Sequence, residues 1–144
     1  MKNLNKIKIF IVDDDDLFLK SLVIQFNENP IYEVETFPTG ELCIKNLNKK
    51  PDIIILDYYL NGIEKKAING LKTLDLIKKI NSDIPVIIIS AQDKIEVAVT
   101  CIHHKAFDYV VKSETSFVRL QKIITTILKC QKMENELNWY MKNM

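Results

Sequence analysis

The sequence predicts an α/β domain, a doubly wound five-stranded parallel sheet with helices on both faces. Two observations carry this reading. Short apolar runs alternate with stretches of helical spacing in a βαβαβαβαβα order. Each central run also delivers a polar residue at its carboxyl end. Asp13 and Asp14 follow Ile7 to Val12, Asp57 follows 52–56, Ser90 follows 85–89 and Lys112 follows 107–111. In open parallel sheets, ligand chemistry gathers at that edge.

The elements follow in order. Strand one is expected at about 6–12 and helix one at about 15–27, where Leu19, Leu22, Val23 and Phe26 keep helical spacing. Strand two, about 31–36, alternates Tyr32, Val34 and Thr36 with Glu33 and Glu35, which marks a sheet edge. Helix two, about 39–48, is short and offers Leu42, Cys43 and Leu47. Strand three, 52–56, is wholly apolar and therefore central. A polar loop with two Asn-Gly turn signals runs from there to Gly70. Helix three is expected at 71–80, strand four at 85–89 and helix four at 93–104, with Ile95, Ala98, Val99 and Ile102 on one stripe. Strand five is expected at 107–111, and helix five starts near Thr115 and runs far towards the C-terminus.

At 144 residues one domain is expected, with a self-sufficient core. Apolar content of 47%, charged content of 27% and a net charge of +1 are ordinary for a soluble protein. That charge gives no electrostatic case for nucleic acid or a membrane surface. The longest apolar run falls far short of the roughly 20 residues that span a bilayer. An N-terminus that meets four aspartates after about six apolar residues does not read as a signal peptide. Cys43, Cys101 and Cys130 are odd in number, lack C-x-x-C spacing and sit in apolar patterns, so reduced and mostly buried thiols in the cytoplasm are expected. Cys101 with His103 and His104 matches no zinc template.

An acidic pair after a strand is often a helix cap, and Asp14, Asp15 or Asp16 could satisfy the free N–H groups of helix one. Asp57 is different, because it opens a long loop rather than a helix. Two carboxylates about 4 Å apart repel by roughly 4 kcal/mol at an effective dielectric near 20. A hard divalent cation with oxygen ligands removes that penalty, and Mg²⁺ suits a few carboxylates, a carbonyl and waters. With Lys112 as a second positive charge, the site fits an incoming phosphoryl group attacked by a carboxylate.

These residues resemble the receiver domains of two-component response regulators, including chemotaxis regulators, over about residues 6–128. IFIVDDDDLFLKSL is similar to the family's first strand, acidic pair and helix. IIILD ending at Asp57 is similar to its phosphoacceptor strand, IIIS ending at Ser90 to its hydroxyl position, and FDYVVK ending at Lys112 to its lysine strand. The resemblance implies a flavodoxin-like sheet of order 2-1-3-4-5. It implies that Asp57 accepts phosphate from a phosphohistidine on a sensor histidine kinase or phosphotransfer protein. Asp13, Asp14, Asp57 and the Tyr59 backbone carbonyl would hold Mg²⁺, and Lys112 would contact the phosphoryl oxygens. Ser90 and Tyr109 would form a switch read out on the surface of helix four, strand five and helix five. The product would be a signal passed to a protein target or output domain, not catalytic turnover.

The chain departs from the family pattern at several points. Leu60-Asn61 stands in place of Met-Pro, and Gly70 lies thirteen residues after Asp57, so 61–70 reads as an insertion of about five residues, a polar mobile flap. Ser113 follows Lys112 where proline is customary, so a trans Lys112–Ser113 bond is expected. Lys105-Ala106 replaces Gly-Ala, which leaves His104 or Lys105 to adopt the left-handed conformation. Tyr59 is bulky enough to screen an acyl phosphate from water. Beyond a receiver of 1–128, the stretch 129–144 reads as a helical extension or linker stub. From helix five into that stretch, Ile123, Ile127, Cys130, Leu137 and Met141 keep a 4-3 alternation with Glu134 in the remaining slot, which fits either a homodimer through helix five and the tail or a frayed amphipathic extension.

Two other readings compete. A haloacid-dehalogenase-type phosphatase would use Asp13 and Asp15 as Asp-x-Asp. It leaves Asp57 unexplained and has only Glu134 and Glu136 for its downstream acidic pair. A non-phosphorylated pseudo-receiver would not need the full set of acids, Ser90 and Lys112.

Overall fold

The computed structural model describes residues 6–60 and 66–144. Strands β1 (Ile7–Val12), β2 (Tyr32–Phe37), β3 (Ile53–Asp57), β4 (Val86–Ser90) and β5 (Asp108–Val111) pair in parallel in the order β2-β1-β3-β4-β5. Helices α1 (Asp16–Asn27), α2 (Gly40–Lys45), α3 (Gly70–Ile80), α4 (Ile95–His103) and α5 (Ser116–Lys142) connect and extend them. The glutamate-bearing β2 is an edge strand and the wholly buried β3 is central, as their patterns require.

Alternation along the strands divides the core in two. Phe10, Val12, Ile54, Leu56, Val86 and Ile88 pack with Cys43, Leu74, Ile77 and Cys101 from α2, α3 and α4. Ile9, Ile11, Ile53, Ile55, Ile87, Ile89 and Val110 pack with Leu22, Phe26, Leu120, Ile124 and Ile127 from α1 and α5. Burying both faces of the central strands explains their unbroken Ile and Val runs. Edge-to-face contacts of Phe26 with Tyr32 and Phe117 tie α1 to β2 and α5.

Two departures from the sequence reading stand out. Helix two stops at Lys45 and continues as a 3-10 turn, Leu47–Lys49. Asn46, at φ −106° and ψ 8°, turns its side-chain amide back to the Leu42 carbonyl at 2.7 Å, the competition with helix that short amides offer. On α4 the expected stripe is not the packed one. Cys101 is buried and Val97 packs on the core, while Ile95, Val99 and Ile102 are 77%, 48% and 46% exposed. The thiols are mostly buried, as expected: Cys43 and Cys101 are buried and Cys130 is exposed.

Two loop expectations hold. Lys105 ends α4 at φ 77°, and no cis peptide bond occurs among the described residues, so Lys112–Ser113 is trans. In place of a proline-shaped loop, buried Ser116 accepts from the Ser113 N–H at 2.8 Å and donates to the Ser113 carbonyl at 2.9 Å. Residues 61–65 of the insertion lie outside the described residues. At its far end Ala67 is buried, and the Ile68 N–H donates to Glu41 on α2 at 3.2 Å.

Gly70 carries a strict requirement. Its N–H donates to the Tyr58 carbonyl at 2.9 Å, and a Cβ there would overlap the Asp57 carbonyl and lie 2.6 Å from Tyr58 Cα. Those are backbone atoms and cannot yield. Gly70→Ala is therefore expected to lower stability by about 1–3 kcal/mol, read as a lower urea midpoint with unchanged slope. A midpoint equal to wild type would contradict this close approach.

Candidate functional site

The carboxyl edge of β1, β3, β4 and β5 forms the site. Backbone bonds continue past the strand ends and lock its loops: Asp13 N–H to Phe37 O at 3.0 Å, Tyr58 N–H to Ile89 O at 2.9 Å and Lys112 N–H to Ser90 O at 2.7 Å. Asp13, Asp57 and Ser90 are 1%, 3% and 0% exposed. The structure thus brings Asp13, Asp14, Asp57, Ser90, Tyr109 and Lys112 to one lip of the sheet.

The four consecutive aspartates divide their work. Asp15 is the N-cap of α1 and accepts from the Phe18 N–H at 3.2 Å, while Asp16 pairs with Lys20 one turn on. Asp13 and Asp14 remain with the cluster. One carboxylate oxygen each from Asp13, Asp14 and Asp57 lies within 4.8 Å of the others, the metal-capable acidic group among the described residues. Capping by Asp15 removes the second member of the Asp-x-Asp reading.

Lys112 Nζ lies 2.9 Å from Asp13 Oδ2 and 3.3 Å from Asp57 Oδ2. Asp57 Oδ1 also accepts from the Tyr59 N–H at 3.2 Å. Asp13 Oδ2 is buried without a hydrogen bond of good geometry, so the ammonium alone leaves it under-satisfied. Burial, and then the neighbouring Asp13 carboxylate, push the Asp57 carboxyl up to about 8, against the pull of Lys112 and the Tyr59 N–H. Burial alone would lower the Lys112 ammonium, but Asp13 and Asp57 outweigh it and the net shift is upward. Among the described residues, Asp13 and Asp57 share the Lys112 ammonium.

Beside it, the buried Ser90 hydroxyl accepts from the Gln92 N–H at 3.1 Å, and Tyr109 donates from its hydroxyl to the Gln92 carbonyl at 2.6 Å. Burial raises the Tyr109 phenol, and its hydrogen bond with Ser90 opposes that. Both groups therefore meet in the β4–α4 loop. Tyr59 is 43% exposed, with its ring edge-to-face on Tyr58 at 4.9 Å. Sequence reasoning missed Phe18, whose ring centroid lies 4.7 Å from Lys112 Nζ. The available signal was an aromatic in the first turn of the helix that follows the acidic pair. The Cys101, His103 and His104 group does not assemble: Cys101 is buried, its thiol pushed up to about 11 by burial, and His104 pairs with Asp75 at 2.7 Å.

The raised Asp57 carboxyl makes stability depend on pH. Between its ordinary value of 3.8 and about 8 the folded protein binds more protons here than the unfolded chain. Stability contributed by this group is therefore present at low pH and lost as pH rises through that window. In metal-free buffer, Asp57→Asn is expected to melt progressively higher than wild type as pH goes from 5 to 8. A gap that stays constant across that range would contradict the burial argument.

Comparison with known proteins agrees with this geometry. The family described as response regulator receiver domain matches residues 9–125. The chain is 32% identical over 131 residues to a protein-glutamate methylesterase/protein-glutamine glutaminase of Clostridium acetobutylicum, covering 88% of this chain and 36% of that protein. It is 32% identical over 105 residues to the nitrogen assimilation regulatory protein NtrX of Azorhizobium caulinodans, covering 72% and 22%. The crystal structure of NtrX from Brucella abortus superposes with a TM-score of 0.79 at 28% identity, covering 95% of this chain and 30% of that one. The chain thus spans about a third or less of the length of these proteins. With the acids, hydroxyl and lysine on one lip of a 2-1-3-4-5 sheet, the chain belongs to the response-regulator receiver domains.

Proposed function

We propose that the chain is a phosphoaccepting receiver that takes a phosphoryl group onto Asp57 from a sensor histidine kinase or phosphotransfer protein. The observation that carries this is the gathering of Asp13, Asp14 and Asp57 around the Lys112 ammonium. In the transfer an Asp57 oxygen attacks phosphorus, the bond from phosphorus to the donor imidazole nitrogen breaks, and the imidazole leaves with that electron pair. Asp13, Asp14, Asp57 and the Tyr59 carbonyl would hold Mg²⁺; the buried, under-satisfied Asp13 Oδ2 and the oxygen-only donor set fit a hard cation. When bound, that ion neutralises phosphoryl oxygens as charge develops. Lys112 supplies a fixed positive charge on the other side, and the packed α1 and β3 loops orient Asp57 for in-line attack.

Ser90 and Tyr109 are the proposed switch. Their shared link to the β4–α4 loop supports it, because a phosphate that recruits the Ser90 hydroxyl would change the space and partners open to the Tyr109 ring. The outward Ile95, Val99 and Ile102 of α4, with Phe107 just before β5 at 40% exposure, support a readout surface on α4, β5 and α5 for a protein target or output domain. Tyr59, half exposed beside Asp57, is a proposed screen against hydrolysis. Net charge gives no support for direct nucleic-acid binding. No helix among the described residues is long and apolar enough to cross a membrane. Free thiols suit the cytoplasm, where such kinases would deliver phosphate.

A homodimer through helix five and the tail is part of the same proposal, with a division near residue 128. Ile127 belongs to the domain core and Ile123 packs on it, so the register that begins at those residues is not free for a partner. The neighbouring register is: Cys130, Met133, Leu137 and Tyr140 recur at intervals of three and four, all exposed. In a parallel pair, Lys129 and Glu134 fall where opposite charges meet across the seam. Cys130 then faces its own copy.

Two measurements test these proposals. Incubation with acetyl phosphate and Mg²⁺ is expected to add one phosphoryl group by intact mass and none to Asp57→Asn; uptake by the Asn variant, or steady hydrolysis of a phosphate monoester, would contradict the receiver reading. Mild oxidation of the full chain is expected to trap a covalent dimer that Cys130→Ser abolishes. A dimer persisting in Cys130→Ser, or none in wild type, would contradict the seam.

A further inference from the structure

The Lys112 ammonium is held on more than its acidic side. Asp13 and Asp57 approach it at 2.9 and 3.3 Å, and the Phe18 ring covers it at 4.7 Å from the centroid. Phe18 is itself fixed. Its N–H is capped by Asp15, and its side chain packs on the cluster of Ile9, Ile11, Leu22 and Phe26. The lysine side chain is 15% exposed, so the ring stands where hydrating water would otherwise sit. A lysine has a long, flexible stem and a compact, strongly hydrated charge, and the two carboxylates restrain it from one side only. An aromatic face attracts the cation and excludes water without competing for its protons.

We propose that Phe18 is a positioning residue for phosphoryl transfer: by cation–π contact it keeps the Lys112 ammonium aimed at the phosphoryl oxygens over Asp57. The inference rests on the receiver reading. It goes beyond it by assigning a role in the reaction to an apolar helix residue that touches neither metal nor phosphate. Phe18 acts only through Lys112, so its loss slows transfer while leaving the binding of cation by the aspartates in place.

The test uses the full chain with acetyl phosphate and Mg²⁺, following phosphoryl uptake by intact mass. Phe18→Leu keeps an apolar side chain of similar bulk but no ring, and is expected to slow uptake about three- to tenfold. Phe18→Trp keeps an aromatic face and is expected to restore most of the rate. Mg²⁺ affinity, titrated without donor, is expected to stay within about twofold of wild type in both variants, as an effect confined to the amine requires. In NMR spectra the Lys112 ε-methylene protons should be shifted upfield by the ring current in wild type and Phe18→Trp, and not in Phe18→Leu. Uptake by Phe18→Leu at the wild-type rate overturns the inference and leaves the receiver reading intact. Equal loss of rate and Mg²⁺ affinity also overturns it, since that marks a displaced α1. Absence of uptake by wild type overturns the receiver reading, and this inference with it.

Discussion

The structure turns on electrostatic crowding at one lip of the sheet. Asp13 and Asp57 are almost fully buried and share the Lys112 ammonium, so two acids are held close together with little water around them. Such a cluster is costly by itself, and it persists because the surrounding fold over-determines it. The acids stand at the ends of β1 and β3, strands buried on both faces. Their loops are locked by backbone bonds to neighbouring strands, so neither acid can relax away. The same rigidity would suit the divalent cation and incoming phosphoryl group of the proposed function.

Around that centre each residue has a single task. Asp15 caps α1 and so fixes Phe18 at the rim, while Asp16 is spent on a surface pair with Lys20. Gly70 lets α3 begin against the Asp57 and Tyr58 backbone, which keeps the acceptor strand and α3 in register despite the inserted residues between them. Ser116 closes the turn after Lys112 by hydrogen bonds where the family uses proline, so the lysine strand ends in an ordered loop. These supports lie in the connections that follow β1, β3 and β5.

Two apolar surfaces remain outside the core. One is the outward stripe of α4; the other is the distal part of α5, where 132–144 are exposed. A helix of that length gains little stability alone in water. The register suggested by spacing is not wholly outward, because Ile127 lies in the domain core and Ile123 packs on it.

Strand positions, their order from edge to centre, and the delivery of Asp13, Asp14, Asp57, Ser90 and Lys112 to one edge were determined by the sequence itself, since burial on both faces demands apolar runs and polar residues end them. The displaced glycine at Gly70 and the left-handed turn near Lys105 were legible through the resemblance, whose pattern has a glycine at each point, while the close approach of Gly70 to the Asp57 and Tyr58 backbone was not. Other features were decided only by tertiary structure. Which aspartate caps and which joins the cluster depends on where α1 leaves the sheet. The faces of α4 and α5 left outward depend on neighbouring helices, for spacing marks an amphipathic face and not its partner. The ring of Phe18 over the Lys112 ammonium joins residues ninety-four positions apart, and no periodicity encodes such a contact.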